Sequence, residues 1–259
     1  MRTNAPEVLD QVRRCLPPGV EPHGAPFVDH LYSLKVGGKN TRPNTRQFTL
    51  LYAGLSRLAR TMDLDEALAE LSDNLERYLA LYAADRVFLH AGVVGWKGQA
   101  VVLPGQTFAG KSTLVAALLR AGATYYSDEF AVLDDEGHVH PFPRPLALRK
   151  PNGEDGGRCS PEHFGAQVGR EPLPIGLVAL LTYRKDAEEG LRTISRSRAA
   201  LQLVPYAYCA TVNPERAVFA IAKAVRDCDV LRGTRGEADA MAERLLHWVE
   251  QRSQVCGQE

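Results

Sequence analysis

The apolar residues of this chain follow two spacings, one typical of strands and one typical of helices. Short apolar runs bounded by glycine, proline and acidic residues indicate buried strands, and apolar positions three or four apart indicate helices. The predicted strands are 87–89, 100–103, 124–127, 130–133 and 175–183. The predicted helices are 111–121, 213–225 and 237–251. Glycine, proline and charge dominate 150–174, which predicts a long loop. Alternating strands and helices predict an α/β fold with a sheet flanked by helices.

The first 85 residues have a different pattern and predict a small N-terminal α+β region, followed by one α/β domain at 86–259. The segment 27–38 predicts an extended strand pair, and 50–62 has the spacing of a helix. Asp63 can then cap a longer helix, in which leucines recur every three or four residues. That apolar face indicates packing and no chemistry.

Composition and charge narrow the classes of partner. The 31 Lys and Arg residues balance 31 Asp and Glu residues, so a neutral chain gives no electrostatic reason to expect nucleic acid or an anionic membrane as the main partner. The five cysteines are scattered without CxxC spacing, which favours free thiols over a zinc site or a disulfide framework. No apolar run approaches the ~20 residues that span a bilayer. The sequence therefore predicts a cytoplasmic protein that binds neither nucleic acid nor membrane.

One segment carries a complete phosphate-binding motif. The eight residues from Gly105 to Ser112 match GxxxxGK[ST], with an apolar strand before them and a helix after them. Glycine lets the main chain turn closely around a phosphate, and the helix N-terminus adds a partial positive charge. Lys111 is expected to reach the terminal phosphates, and the Ser112 hydroxyl to bind Mg²⁺. The residues that we predict to bind ATP are Gly105, Gln106, Thr107, Phe108, Ala109, Gly110, Lys111, Ser112 and Thr113.

Two carboxylates are predicted to meet this loop, and a histidine precedes it in the chain. Asp128 and Glu129 follow the next strand along the chain, which is expected to adjoin the strand that leads into the loop. Phosphoryl transfer needs one carboxylate near Mg²⁺ and another that accepts the proton of the attacking group. His90 ends the predicted strand in the run FLHAG, and by itself it would be interpreted as an ordinary histidine.

A second pair of histidines, His138 and His140, alternates along a predicted strand in the sequence HVHPF. Two histidines at this spacing can share a metal ion, but a stable site needs further ligands. No third ligand is evident in the sequence, so we interpret both as ordinary strand residues.

The stretch FLHAGVVGWKGQAVVLPGQTFAGKSTLVAALLRAGATYYSDEFAVL resembles the catalytic domain of HPr kinase/phosphorylase and related kinases, with histidine, loop and acidic pair in register. The resemblance implies a P-loop kinase core of the HPr kinase type, with a mixed sheet flanked by helices. It implies that His90 assists proton transfer, that Asp128 deprotonates the attacking hydroxyl, and that Lys111 acts on the transferred phosphoryl group. Glu129 would lie near the metal together with Ser112. The resembled family forms hexamers, so a homo-oligomer is among the expected partners.

Departures from the family change what the resemblance implies about the substrate. Residue 129 is glutamate where the family has aspartate, and the downstream signature, roughly ExRGxG, that is tied to the phosphorylase reaction is missing. The first 85 residues do not resemble the regulatory domain of the family. We therefore expect kinase activity without the reverse phosphorolysis, on a substrate other than HPr.

The sequence thus predicts an ATP- and Mg²⁺-dependent kinase that transfers the γ-phosphoryl group to a hydroxyl acceptor. A serine or threonine of a peptide or protein is the first expectation for this acceptor. A small-molecule alcohol is an alternative acceptor. A nucleotide-dependent switch or ATPase that acts through a partner is an alternative function, although no NKxD motif of a GTPase is present.

Overall fold

The computed structural model of the chain describes residues 1–21, 24, 27–37, 46–106, 109–149, 155–185 and 190–256. The chain divides into two compact units, Met1–Leu79 and Ala80–Glu259, each with its own apolar core. Within the described ranges, no helix combines the length and the apolar character that crossing a lipid bilayer requires.

The first unit is built on a four-stranded sheet. Its strands, in spatial order, are β1 (Arg2–Thr3), β2 (Tyr32–Lys35), β3 (Thr49–Ala53) and β4 (Ser56–Thr61). Only β1 and β2 are parallel to each other. A 3₁₀ turn (Pro6–Val8), helix α1 (Leu9–Arg14) and most of helix α2 (Leu64–Tyr82) complete this unit. Leu34, Leu51 and Leu71 are fully buried and form the centre of its core.

Two predictions for this unit are wrong. Residues 50–62, predicted as a helix, form the hairpin of β3 and β4. Leu51, Leu55 and Met62 have helical spacing along the chain, but Leu55 lies in the turn and Met62 beyond β4, and both are exposed. The segment 27–38, predicted as a strand pair, contributes one strand among its described residues, and that strand pairs with β1 and β3.

The second unit contains an eight-stranded mixed sheet and a separate hairpin. Its strands are β5 (Val87–Trp96), β6 (Gln99–Pro104), β7 (Thr124–Ser127), β8 (Phe130–Leu133), β9 (Val139–His140), β10 (Leu146–Arg149), β11 (Asp155–Cys159), β12 (Ile175–Tyr183), β13 (Gly190–Thr193) and β14 (Asp229–Arg235). The order in the large sheet is β13-β14-β12-β6-β5-β8-β9, and β7 also pairs with β5. Strands β6, β12 and β14 are parallel, whereas β5 is antiparallel to β6, β7 and β8. The predicted mixed α/β architecture is confirmed.

Helices cover both faces of this sheet. Helices α3 (Lys111–Arg120) and α6 (Ala238–Cys256) pack on one face, and α4 (Arg196–Leu203) and α5 (Pro214–Ala224) pack on the other. Neighbouring residues such as Val101 and Val102 belong to opposite cores, because side chains alternate across a strand. The sheet is therefore buried on both sides, which explains its continuous apolar runs.

An interruption in the centre of the sheet positions the candidate site. Strand β8 pairs with the first half of β5 and β7 with the second half, and only Asp128 and Glu129 separate β7 from β8. On the other side of β5, β6 ends at Pro104 opposite Ala91. Two expectations are thereby corrected. His90 lies inside a continuous ten-residue strand and not at its end, and β5 separates β6 from β7.

The predicted loop at 150–174 also contains regular structure. Strand β11 pairs with β10, and a 3₁₀ turn follows at Pro161–Phe164. Residues 150–154 lie outside the described residues. The sequence of β11, DGGRC, lacks the alternating apolar residues of a half-buried strand, so its pairing could not be recognised from the pattern.

Candidate active site

The loop at residues 105–110, which we call the glycine loop, joins β6 to α3. Gly110 is the N-cap residue of α3 and has a left-handed φ of 78°, a conformation that glycine adopts without strain. A Cβ atom at this position would lie 2.5 Å from Nη2 of Arg235, so any other residue would displace that guanidinium group. Of the other predicted ATP-binding residues, Gln106 and Thr113 are exposed, Ala109 is half-buried, and Thr107 and Phe108 lie outside the described residues.

Lys111 begins α3, and its ammonium group turns back onto the glycine loop. Nζ lies 2.8 Å from the carbonyl oxygen of Gly105, 3.1 Å from that of Gln106 and 2.6 Å from Nε2 of His90. Burial lowers the pKa of Lys111, while Glu129 and Asp128 act in the opposite direction. An ammonium group has three protons, so an anion bound at the loop would have to replace at least one of these acceptors.

His90 connects Lys111 to the acidic side of the site. Its Nδ1 lies 3.0 Å from the hydroxyl of Tyr208 and 3.4 Å from Oε1 of Glu129. Burial, reinforced by the Lys111 charge, lowers the pKa of His90 to about 4, so the ring is neutral near pH 7. Because Lys111 donates to Nε2, the single ring proton belongs on Nδ1, where it faces Tyr208 and Glu129.

Asp128 is almost completely buried, with 5% of its surface exposed. Its Oδ2 accepts hydrogen bonds from the Ser112 hydroxyl at 3.1 Å and from the Ala147 N–H at 3.2 Å. The Tyr125 hydroxyl lies 3.3 Å from Oδ1. Burial raises the pKa of Asp128, and these hydrogen bonds with the Lys111 charge oppose the rise. The carboxylate is thus fixed in direction before any ligand arrives.

Glu129 is the exposed member of the acidic pair, with 44% of its side chain accessible. Its main chain is fixed by the turn that interrupts the strand: the Ser127 hydroxyl accepts hydrogen bonds from the N–H groups of Glu129 and Phe130. The carbonyl oxygen of Glu129 accepts from Ala91 on β5. Adjacent residues therefore present one buried and one accessible carboxylate to the same site.

The oxygen atoms of Ser112 and Asp128 suit a magnesium ion. Two neighbouring ligands of an octahedral Mg²⁺ at 2.0–2.1 Å are about 2.9 Å apart, and the Ser112 and Asp128 oxygens are 3.1 Å apart. A hydroxyl and carboxylates are also the donor types that Mg²⁺ prefers. The residues present therefore fit this ion, and Glu129 adds a second carboxylate nearby.

Sequence reasoning missed Arg235, which supports the glycine loop. This residue ends β14, is only 3% exposed, and donates from Nη2 to the carbonyl oxygen of Gly110 at 2.9 Å and from Nη1 to that of Gly236 at 3.1 Å. Burial lowers its pKa, while Tyr183 and Glu237 act in the opposite direction. Strand β14 was not predicted from the sequence, so nothing in the pattern directed attention to its last residue.

Tyr208 and Tyr125 were also missed. Tyr208 belongs to a 3₁₀ turn far along the chain, and its ring packs edge-on against Phe130 while its hydroxyl meets His90. Tyr125 is fully buried in β7, and its hydroxyl lies 2.6 Å from the carbonyl oxygen of Arg144. A tyrosine in an apolar run carries no sequence signal of such a role, because most buried tyrosines only need some partner for the hydroxyl.

Comparison with known proteins gives little information on the function of this site. No protein-family model matches the chain, and no curated protein matches it. Among solved structures, the chain is similar to the Hpr(Ser) kinase/phosphatase from Coxiella burnetii, with 13% sequence identity and a TM-score of 0.33. The match covers 66% of this chain and 99% of that chain. At this identity and TM-score the likeness says nothing about activity, which has to be judged from the geometry of the site.

Proposed function

We propose that this protein is an ATP-dependent kinase that uses Mg²⁺ and transfers the γ-phosphoryl group of ATP to a hydroxyl acceptor. One observation carries the proposal: Lys111 contacts His90, His90 contacts Glu129, and Ser112 contacts Asp128, all beside the glycine loop. Phosphoryl transfer needs a cation for the phosphates, oxygen ligands for the metal and a carboxylate for the acceptor proton.

The glycine loop, α3 and Lys111 would bind the phosphates. The first N–H groups of a helix lack partners within that helix and, with its dipole, favour an anion. Lys111 would exchange its contacts with the loop carbonyls and His90 for phosphate oxygens. Arg235 holds the Gly110 carbonyl, which supports the end of the loop from which α3 starts.

Ser112 and Asp128 would hold the metal ion, which supplies charge neutralisation at the phosphates when bound. Donors on Ser112 and Ala147 fix the Asp128 carboxylate in the buried interior, as a ligand of defined geometry requires. A base for an incoming substrate must be reachable, and Asp128 is nearly inaccessible. This supports a metal-binding role for Asp128, whereas the sequence-based prediction made it the base.

Glu129 would accept the proton of the acceptor hydroxyl, with His90 as its positioning residue. Its side chain is accessible, and the Nδ1 proton of neutral His90 faces it at 3.4 Å. A base must lie within hydrogen-bond reach of the proton that it abstracts, and contacts of this kind tighten when substrate binds. A serine or threonine of a peptide or protein is the first acceptor that we propose, ahead of a small-molecule alcohol.

The activity is tested by incubating the purified protein with ATP labelled at the γ-phosphate, Mg²⁺ and cellular extract. We expect label on a molecule distinct from phosphate, in an amount that depends on both protein and extract. Label that appears only as free phosphate would favour the ATPase or switch, and protein that neither binds nor turns over ATP would refute both.

The two carboxylate roles are separated by paired variants. Glu129→Gln should lower kcat by about 10²- to 10⁴-fold, the usual contribution of acid–base catalysis, and leave ATP affinity nearly unchanged. Asp128→Asn should raise the Mg²⁺ concentration needed for half-maximal activity by about 10- to 100-fold. If Asp128→Asn lowers the rate of transfer at saturating Mg²⁺ by about 10²-fold or more and leaves the Mg²⁺ concentration for half-maximal activity unchanged, Asp128 is the base, as the sequence alone suggested.

A further inference from the structure

A second cluster of histidines and carboxylates lies beyond the other end of β8, in the turn that leads to β9. We call it the turn cluster, and it consists of Asp134, Glu136, His138 and His140. One ligand atom from each of the first three lies within 4.8 Å of the other two. Nδ1 of His138 is 3.8 Å from Oδ2 of Asp134 and 3.8 Å from Oε2 of Glu136.

The backbone of this turn is fixed without any ligand. Oδ1 of Asp134 accepts hydrogen bonds from the N–H groups of Glu136 at 3.0 Å and His138 at 2.9 Å. The N–H group of Asp134 donates a hydrogen bond to the carbonyl oxygen of His138 at 3.1 Å, and Gly137 has a left-handed φ of 90°. A Cβ on Gly137 would lie 2.8 Å from the backbone of Ala224, so the turn is pressed against α5. Alternate side chains along the turn are therefore directed to one place before any ion binds.

We propose that Asp134, Glu136 and His138 form a binding site for a divalent transition-metal ion such as Zn²⁺. Two atoms bound to one ion at about 2.1 Å can be at most about 4.2 Å apart, so ligand atoms within 4.8 Å need only small side-chain movements. One nitrogen and two carboxylate oxygens form a donor set that suits Zn²⁺ or Co²⁺ better than Mg²⁺. The sequence drew attention to the histidine pair, and the turn supplies the carboxylates.

His140 would act as a positioning residue for this site. Its Nε2 lies 2.8 Å from Oδ2 of Asp134, on the oxygen that faces His138. A carboxylate oxygen has two lone pairs, so Oδ2 can accept from His140 and still bind an ion. Hydrogen bonds of this kind orient metal ligands and contribute to affinity.

The ion would have room for water ligands and a route of access. A cleft of about 350 Å³ borders Glu136 and His138. Lys223, Arg226 and Asp227 also line this cleft. Three protein ligands together with solvent in the remaining positions correspond to an open zinc site. The proposal does not depend on kinase activity, because the ligands differ from those beside the glycine loop.

Titration of the untagged, chelator-treated full chain with Co²⁺, followed by visible absorption, tests the proposal, with Zn²⁺ calorimetry as a second measurement. Both are done in excess Mg²⁺, so that oxygen-only sites are occupied. We expect one equivalent to bind, and His138→Ala and Glu136→Gln to weaken binding by about tenfold or more. His140→Asn should weaken it less, because that residue is not a ligand.

The matched control is Asp135→Asn, which removes a carboxylate of the same turn that is 75% exposed and contacts Arg216. This variant should bind the ion nearly as well as the wild type. Thermal unfolding of each variant without metal shows whether the fold is intact. The proposal is overturned if the wild type does not bind Zn²⁺ below roughly 100 μM, or if folded His138→Ala binds as tightly as the wild type.

Discussion

The clusters of side chains near the two ends of strand β8 share residue types but differ in burial, although Asp134 at the second end is itself 15% exposed. Before the strand, Asp128 is 5% exposed and the His90 side chain 15%. After it, the Glu136 side chain is 80% exposed and that of His138 42%. The first group is surrounded by a sheet break, a glycine loop and two tyrosine hydroxyls, whereas the second lies in a turn that faces solvent.

This difference decides what each group can do. Burial makes charges costly unless hydrogen bonds hold them, and it strengthens every electrostatic contact that remains. The buried end can therefore fix a metal ligand and keep a histidine neutral, which suits chemistry on a charged substrate. The exposed end keeps the Glu136 carboxylate solvated, so it suits a reversible ion and contributes little to stability. Identical residue types thus support different proposals because their surroundings differ.

Among the variants that test this contrast, Lys111→Ala is expected to have the largest effect on activity. It removes the ammonium group that contacts both the glycine loop and His90, so ATP turnover should fall by about 10²- to 10³-fold or more. Lys97→Gln, at an exposed hairpin lysine, is the control and should retain activity. Steady-state measurement of ADP formation checks both, and similar losses in the two variants would contradict the proposed site.

The clearest pH-dependent contribution to stability is expected from His90 at the buried end. The folded pKa of His90, about 4, is below the unfolded value of 6.5, so the unfolded chain takes up the proton first as the pH falls. The resulting decrease in the free energy of unfolding begins below pH 6.5 and reaches up to about 3 kcal/mol near pH 4. The difference in unfolding free energy between wild type and His90→Gln, from urea titrations at each pH, should shrink accordingly. A constant difference would show that His90 is not held neutral.

The support behind the glycine loop should give a smaller effect. Arg235→Gln removes the charge-assisted hydrogen bond to the Gly110 carbonyl, and the KM for ATP should rise about tenfold, with kcat changed less. Arg235→Lys should restore part of the affinity because it keeps a cationic donor. Arg232→Gln, at an exposed residue of the same strand, is the control. If KM is unchanged in folded Arg235→Gln, the loop does not need this support.

The smallest effect is expected at the exposed end. Zn²⁺ at ten times its dissociation constant should raise the unfolding free energy by about 1.4 kcal/mol, since only the folded turn holds the ligands together. Thermal unfolding with and without the ion measures this increase. It should disappear in His138→Ala and persist in Asp135→Asn. An equal increase in both variants would place the ion elsewhere.

Much of the second unit could be predicted from the sequence because its sheet is buried on both faces. The strands at 124–127, 130–133 and 175–183 and the helix after the glycine loop appeared as uninterrupted apolar runs or clear helical periods. The prediction was wrong for the hairpin at 50–62, where Leu55 and Met62 completed a helical spacing although both are exposed. Spacing records where apolar residues are, and only the pairing of strands decides which of them are buried.

The sequence by itself determined the chemical groups near the glycine loop, because GxxxxGK[ST] is a local pattern whose residues are consecutive. It also predicted that Asp128 and Glu129 lie beside that loop, whereas His90 was placed there only through the resemblance to a known family. Tertiary structure alone decided that β5 lies between the two strands, that Asp128 is buried while Glu129 is accessible, and that Arg235 reaches Gly110. It also brought Asp134 and Glu136 to His138. The physical reason is that burial and direction depend on contacts distant in sequence, or on the shape of a turn, and residue order encodes neither explicitly.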